Sequence, residues 1–145
     1  MRWEFYAIGS PKLGYAREGI EEYLRRIARF LPATCEWVRP RGKETESEAL
    51  LRRTEGRFRM VLDPGGEALT SEGLARRVGE WMRGGVGTAA LLVGGAEGHS
   101  RELIAAAGWV WSLGPLTLQH ELALLVALEQ IYRAHTIVAR LPYHR

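Results

Sequence analysis

Ala89-Ala-Leu-Leu-Val-Gly-Gly-Ala-Glu-Gly98 is the stretch that decides the fold class. Ala89 to Val93 is an unbroken apolar run of strand length. With no polar alternation, it suits a strand buried on both faces of a parallel sheet. Gly94–Gly98 is a glycine-rich turn, and Ser100 then caps a short helix predicted to reach about Ala107.

The same alternation extends outward in both directions. Toward the C-terminus, Trp109 to Leu113 reads as a strand and Gly114-Pro-Leu-Thr-Leu118 as a stiff apolar loop. His120 to Val138 reads as the longest helix, almost wholly apolar from Leu122 to Leu128. Toward the N-terminus, Thr70 or Ser71 caps a helix running to about Arg83, with Leu74, Val78, Trp81 and Met82 facing inward. Phe58 to Leu62 is a strand stopped by Asp63-Pro-Gly-Gly66. Thr45 to Glu55 is a short helix, preceded by the basic loop Arg39-Pro-Arg-Gly-Lys43. Residues 34–38 and 2–8 are strands. Between them, Ile20, Leu24, Ile27 and Leu31 fall at helical spacing over Arg17 to Leu31, with Pro32 as the stop. Strands alternating with helices predict an α/β fold with a mostly parallel sheet flanked by helices, in one domain spanning residues 1–145.

Composition narrows the class. The chain has 145 residues, 46% apolar and 26% charged, with a net charge of +3, so it is neither disordered nor strongly cationic. One cysteine, Cys35, excludes an internal disulfide and a cysteine-based zinc site. The four histidines show no metal-ligand spacing, so no metal is expected. No apolar run approaches the length of a membrane span, and the N-terminus has no signal-peptide core; a soluble cytoplasmic protein is expected. Arginine outnumbers lysine 18 to 2 and asparagine is absent, which a thermophilic source or a GC-rich genome would produce. Residues 1–60 carry a net charge of +4 and residues 61–145 a net charge of −1. The first half is therefore the better candidate for touching phosphates, through Arg39, Arg41 and Lys43 above all.

Three loops each follow a predicted strand: Leu62-Asp63-Pro-Gly, Val93-Gly94-Gly and Leu113–Leu118. If their strands are neighbours, the loops converge at one sheet end. That would form a pocket of backbone amides and carbonyls with aliphatic walls, suited to a nucleoside. Taken singly, each has a plainer reading: Gly94–Gly98 is a tight turn, and Asp63, the only aspartate, is a turn residue. Arg133 pairs at i,i+4 with Glu129, His120 opens a helix, His135 is a packed or surface residue, and Tyr143-His-Arg145 is a solvated tail.

Taken together the residues resemble one family. Leu62-Asp63, Leu91–Gly98, Trp111–Leu118 with His120, Glu129-Gln-Ile-Tyr-Arg-Ala134 and Pro142-Tyr-His-Arg145 match, at matched spacing, the SPOUT-superfamily methyltransferases that modify N3 of a pseudouridine in large-subunit ribosomal RNA. Gly9, Glu22–Arg26 and Gly42-Lys43 extend the match over the whole chain. Two positions depart from the usual pattern: Ala96 stands where proline is usual, and Gln119 where proline is common.

The resemblance implies a SPOUT fold with a C-terminal trefoil knot and a homodimer with each S-adenosylmethionine site near the partner subunit. It also implies large-subunit rRNA, in the assembled ribosome, as substrate. Cofactor contacts carry over to Leu62, Gly94, Leu113, Gly114, Pro115, Leu116, Thr117 and Leu118. Catalytic or RNA-positioning roles carry over to Arg133, Tyr143, His144 and Arg145. In this reading His144 is a candidate base, since histidine titrates near neutrality. Tyr143 would stack on the target base, and Arg133 and Arg145 would hold phosphates or a developing oxyanion. The alternative is a non-catalytic RNA- or ribosome-binding factor of the same fold.

Overall fold

A computed structural model describes residues 1–145. Five strands and five helices alternate. They are β1 (Arg2–Ile8), α1 (Gly14–Ile27), β2 (Ala33–Val38), α2 (Lys43–Arg53), β3 (Phe58–Ala68), α3 (Ser71–Arg83), β4 (Thr88–Val93), α4 (Arg101–Ala105), β5 (Trp109–Ser112) and α5 (His120–Val138). The sheet order is β2-β1-β4-β3-β5 and every pairing is parallel.

Alternation along each strand explains the layers. Trp3, Phe5 and Ala7 of β1, with Ala89, Leu91 and Val93 of β4, pack into one core with residues of α1, α3 and α5. Tyr6, Ile8, Ala90 and Leu92 point the other way, into a smaller core with Leu50 of α2 and Leu103 of α4. β4 is central and buried on both faces, which is why its sequence shows no polar alternation. No helix is long and apolar enough to cross a membrane.

Several elements differ from their sequence-based bounds. The first helix runs Gly14–Ile27 rather than 17–31. The Glu121 side chain accepts the Lys12 and Leu13 N–H groups just ahead of the helix. At the other end the chain leaves the helix early, so that the Pro32 carbonyl meets the Trp3 N–H at 2.8 Å. α2 starts at Lys43 rather than Thr45, directly after Gly42, whose φ of +92° turns the chain. β3 does not stop at Asp63. It passes through Asp63-Pro-Gly-Gly66 with a register shift and re-pairs Glu67 with Trp111 and Ala68 with Ser112. Proline is tolerated at such an irregularity because no ladder bond is required of it there. Gly66 permits the close passage, since a Cβ would lie 2.6 Å from the Val110 carbonyl group. Met82, expected inside, is exposed.

Candidate active site

β4, β3 and β5 are neighbours, so the irregular Leu62–Gly66 stretch inside β3 and the loops after β4 and β5 meet at one sheet end. They enclose a cleft of about 360 Å³. Leu62, Gly94, Leu113, Gly114, Leu116, Thr117 and Leu118 all line it, with Asp63, Gly95–Gly98, His120 and Ala123. Pro115 belongs to the same loop without lining the cleft.

Local chemistry sets the walls. Gly114 has φ +117°, outside the range a side chain tolerates, and its N–H is held by the Ser112 hydroxyl at 3.1 Å. Gly94 and Gly98 are packed backbone to backbone; a Cβ on Gly94 would lie 3.0 Å from the Gly98 carbonyl carbon. The buried His99 holds this turn from behind, with Nε2 3.1 Å from the Leu92 carbonyl. Burial lowers the His99 pKa, leaving a neutral ring that donates from Nε2. Aliphatic walls and backbone polar groups in a cleft of this size fit an adenosine-bearing ligand.

The four residues expected to do chemistry divide. Arg133, Tyr143 and His144 form one network, while Arg145 is exposed beyond it. The Arg133 Nε and Nη2 donate to Glu129 Oε1 at 3.1 and 2.7 Å, and its guanidinium carbon lies 4.7 Å from the centre of the Tyr143 ring. The bond to Glu129 raises the Arg133 pKa further. The Tyr143 hydroxyl donates to Glu129 Oε1 at 3.0 Å and lies 3.3 Å from the Tyr23 hydroxyl. Burial and these two bonds push the Tyr143 pKa well above the ordinary phenol value, so it remains a donor.

His144 bridges two groups. Nδ1 lies 3.2 Å from Arg133 Nη1, and Nε2 lies 2.9 Å from Glu72 Oε1. A guanidinium only donates, so Nδ1 carries the lone pair and Nε2 the proton. The tail is therefore a tethered cluster on α3 and α5 rather than a solvated end. No residue of this cluster lines the cleft of the same chain. Between them lies a groove containing Ser71, Leu113, Gly114, Val126 and Gln130.

The family model described as "Predicted SPOUT methyltransferase" matches residues 1–144. The chain belongs to the SPOUT methyltransferase family. Relatives named "Ribosomal RNA large subunit methyltransferase H" are similar along the whole chain. The Thermus thermophilus protein is 48% identical over 145 residues, covering 100% of this chain and 99% of the relative. The Deinococcus radiodurans protein is 41% identical over the same spans. Among solved structures, a probable methylase family protein from Haemophilus influenzae superposes with a TM-score of 0.61 at 12% identity, covering 99% of this chain and 70% of that one. The Legionella pneumophila protein Lpg2936, solved with bound cofactor SAM, gives a TM-score of 0.51 at 14% identity, covering 92% of this chain and 66% of that one. At these identities the two structures establish the shared SPOUT fold.

Residue-by-residue reading missed Glu46, Glu72 and Glu121. Glu46 is buried and accepts the Arg41 and Gly42 N–H groups, each at 2.8 Å. Glu121 is also buried and does the same for Lys12 and Leu13. In the sequence, all three read as ordinary acidic residues in the first turn of a helix.

Proposed function

We propose that this chain transfers the methyl group of S-adenosylmethionine to N3 of a pseudouridine in large-subunit ribosomal RNA. It would act in the cytoplasm, as a homodimer, on the assembled ribosome. The observation that carries this is full-length similarity to rRNA large-subunit methyltransferases, in a chain whose three loop segments close one nucleoside-sized cleft.

Leu62, Gly94 and Leu113–Leu118 would hold the cofactor, mainly through backbone groups and aliphatic contact. The cofactor supplies a methyl group already activated by a positively charged sulfur. The chain's own task is the imide N3, a weak nucleophile until its proton leaves. In the tail cluster, the His144 Nδ1 lone pair is the available acceptor for that proton. Glu72 faces Nε2–H and would stabilise the resulting imidazolium. Arg133, which covers Nδ1, would turn to the base oxyanion as the proton moves. Tyr143 remains protonated and would orient the base by stacking or donation.

Dimerisation is supported by what one chain leaves open. Leu116, in the loop that walls the cleft, is 78% exposed, and Leu122 and Val126 of α5 are only half-buried. A partner chain covering this face would also bring a second tail cluster near the cleft.

The test is transfer of labelled methyl to assembled ribosomes, isolated large subunits and free rRNA, with the modified nucleoside identified by mass spectrometry. N3-methylated pseudouridine is expected, formed fastest on assembled ribosomes. RNA binding without any methyl transfer would instead favour the non-catalytic binding factor.

A further inference from the structure

A second cleft, of about 460 Å³, opens beside the first and shares Gly95–Glu97 and His120 with it. Two loops build its far side: Gly9–Leu13, between β1 and α1, and Arg39–Gly42, between β2 and α2. The chain has two lysines, Lys12 and Lys43, and both line this cleft.

Neither lysine has an ion-pair partner, and neither do Arg39 and Arg41, which alternate in the chain with the lining residues Pro40 and Gly42. By contrast, Arg25, Arg26, Arg53, Arg57, Arg77 and Arg133 are all paired with glutamates. Three glutamates line the cleft as well, Glu46, Glu97 and Glu121, and two of them are engaged by backbone N–H groups. Glu46 accepts the backbone N–H groups of Arg41 and Gly42, and Glu121 those of Lys12 and Leu13. Each buried carboxylate thus fixes the backbone that holds or immediately precedes a lysine while leaving the ammonium group free. Two large exposed aromatics flank the same loops in the chain without lining the cleft: Tyr15 follows Gly9–Leu13 and Trp37 precedes Arg39–Gly42.

We infer that this second cleft receives the RNA strand that carries the target base. The inference rests on the rRNA methyl-transfer reading above. Lys12 and Lys43 contact phosphates flanking the target nucleotide, and the base crosses the Gly95–Ala96 wall toward the first cleft. Glu46 and Glu121 are positioning residues that act through the loops. Unpaired cations spread over two loops, with aromatics beside them, match a stretch of phosphodiester with bases available to stack. The amino-acid end of a cofactor would offer only a single carboxylate.

The experiment uses the full-length chain with Lys12→Ala and Lys43→Ala combined. Ribosome binding by co-sedimentation, methyl transfer across a salt series and S-adenosylmethionine affinity by calorimetry are all measured. Ribosome affinity should fall at least about tenfold per lysine, the scale of a lost charge-assisted contact. The slope of log affinity against log salt should flatten by about 0.7 per lysine, the single-strand value. Cofactor affinity should not move, and Lys→Arg at both sites should restore most of the binding. Arg52→Ala/Arg83→Ala removes the same charge from exposed, unpaired positions elsewhere and should change none of these readings. Glu121→Gln should raise KM for ribosomes while leaving kcat largely intact, as expected of a group that only shapes a loop. An unchanged affinity and salt slope in the double variant would overturn the inference. Weakened cofactor affinity would also overturn it, by assigning the lysines to the cofactor. A wild-type chain that binds ribosomes through these lysines yet methylates no RNA would sink the proposed function and leave the cleft standing.

Discussion

Gly114 and His135 show how much one position can decide. At φ +117°, with no heavy atom within 4 Å of where a Cβ would sit, Gly114→Val meets backbone strain rather than a clash. Strain of about 1–3 kcal/mol is enough to move the loop that walls the cleft. S-adenosylmethionine affinity should fall at least tenfold by calorimetry, with oligomeric state unchanged; full affinity in a folded variant would place the pocket elsewhere. His135 is buried, accepts the Trp3 indole N–H at 2.8 Å, and has its pKa lowered by burial to about 4. A depressed histidine pKa means the unfolded chain binds the extra proton first. The stability it contributes is therefore complete above the unfolded value near 6.5 and drains away as pH falls toward 4. The loss is on the order of 3 kcal/mol. Thermal melts between pH 8 and 4 should show it, and His135→Gln, which keeps an acceptor for Trp3 but cannot charge, should flatten that segment of the profile. The sequence left His135 open between packed and surface because its partner lies 132 residues away.

At the level of elements, strands and helices were legible wherever local pattern and packing agree. β4 and α5 announce themselves by apolar runs, and Thr70 and Ser100 by their caps, both of which accept the expected N–H groups. The reading failed where a distant group overrides a local signal. Asp63-Pro-Gly-Gly66 looks like a stop, yet β5 re-pairs with the chain beyond it. α1 begins three residues early beside a carboxylate from α5. The tail is the other such element. Nothing local holds Tyr143-His-Arg145, but Tyr23, Glu72, Glu129 and Arg133 together fix its first two residues. Deleting residues 143–145 should reduce methyl transfer at least ~100-fold, the lower end for a lost general acid–base, with cofactor affinity retained. Since Tyr143 is half-buried and bonded, the melting temperature should also fall, by about 3 °C for roughly 1 kcal/mol. His144→Ala separates the roles: a rate loss at unchanged ribosome affinity assigns proton transfer, and weakened affinity assigns positioning. Full activity in the truncated chain would move the search to Arg133 and Glu129.

The whole molecule poses the question that one chain leaves open, because its cleft and its tail cluster do not share a wall. A two-fold partner resolves this if each cleft works with the other chain's tail. Sedimentation at micromolar concentration should then show a species of twice the 16.3 kDa chain mass. A decisive version combines two inactive proteins: Gly114→Val, with an intact tail and a damaged cleft, and the 143–145 deletion, with an intact cleft and no tail. When equal amounts are unfolded together and refolded, about half of the dimers are mixed. If sites form across the two-fold, each mixed dimer has one complete site, from the cleft of the truncated chain and the tail of the Gly114→Val chain. The mixture should then recover about a quarter of the wild-type rate, although each component alone is nearly inactive. If cleft and tail of the same chain work together, a mixed dimer contains one chain without a cleft and one without a tail, and no activity returns. The outcome depends only on which chain supplies which part, so it tests the assembly independently of the role of any single residue in the tail.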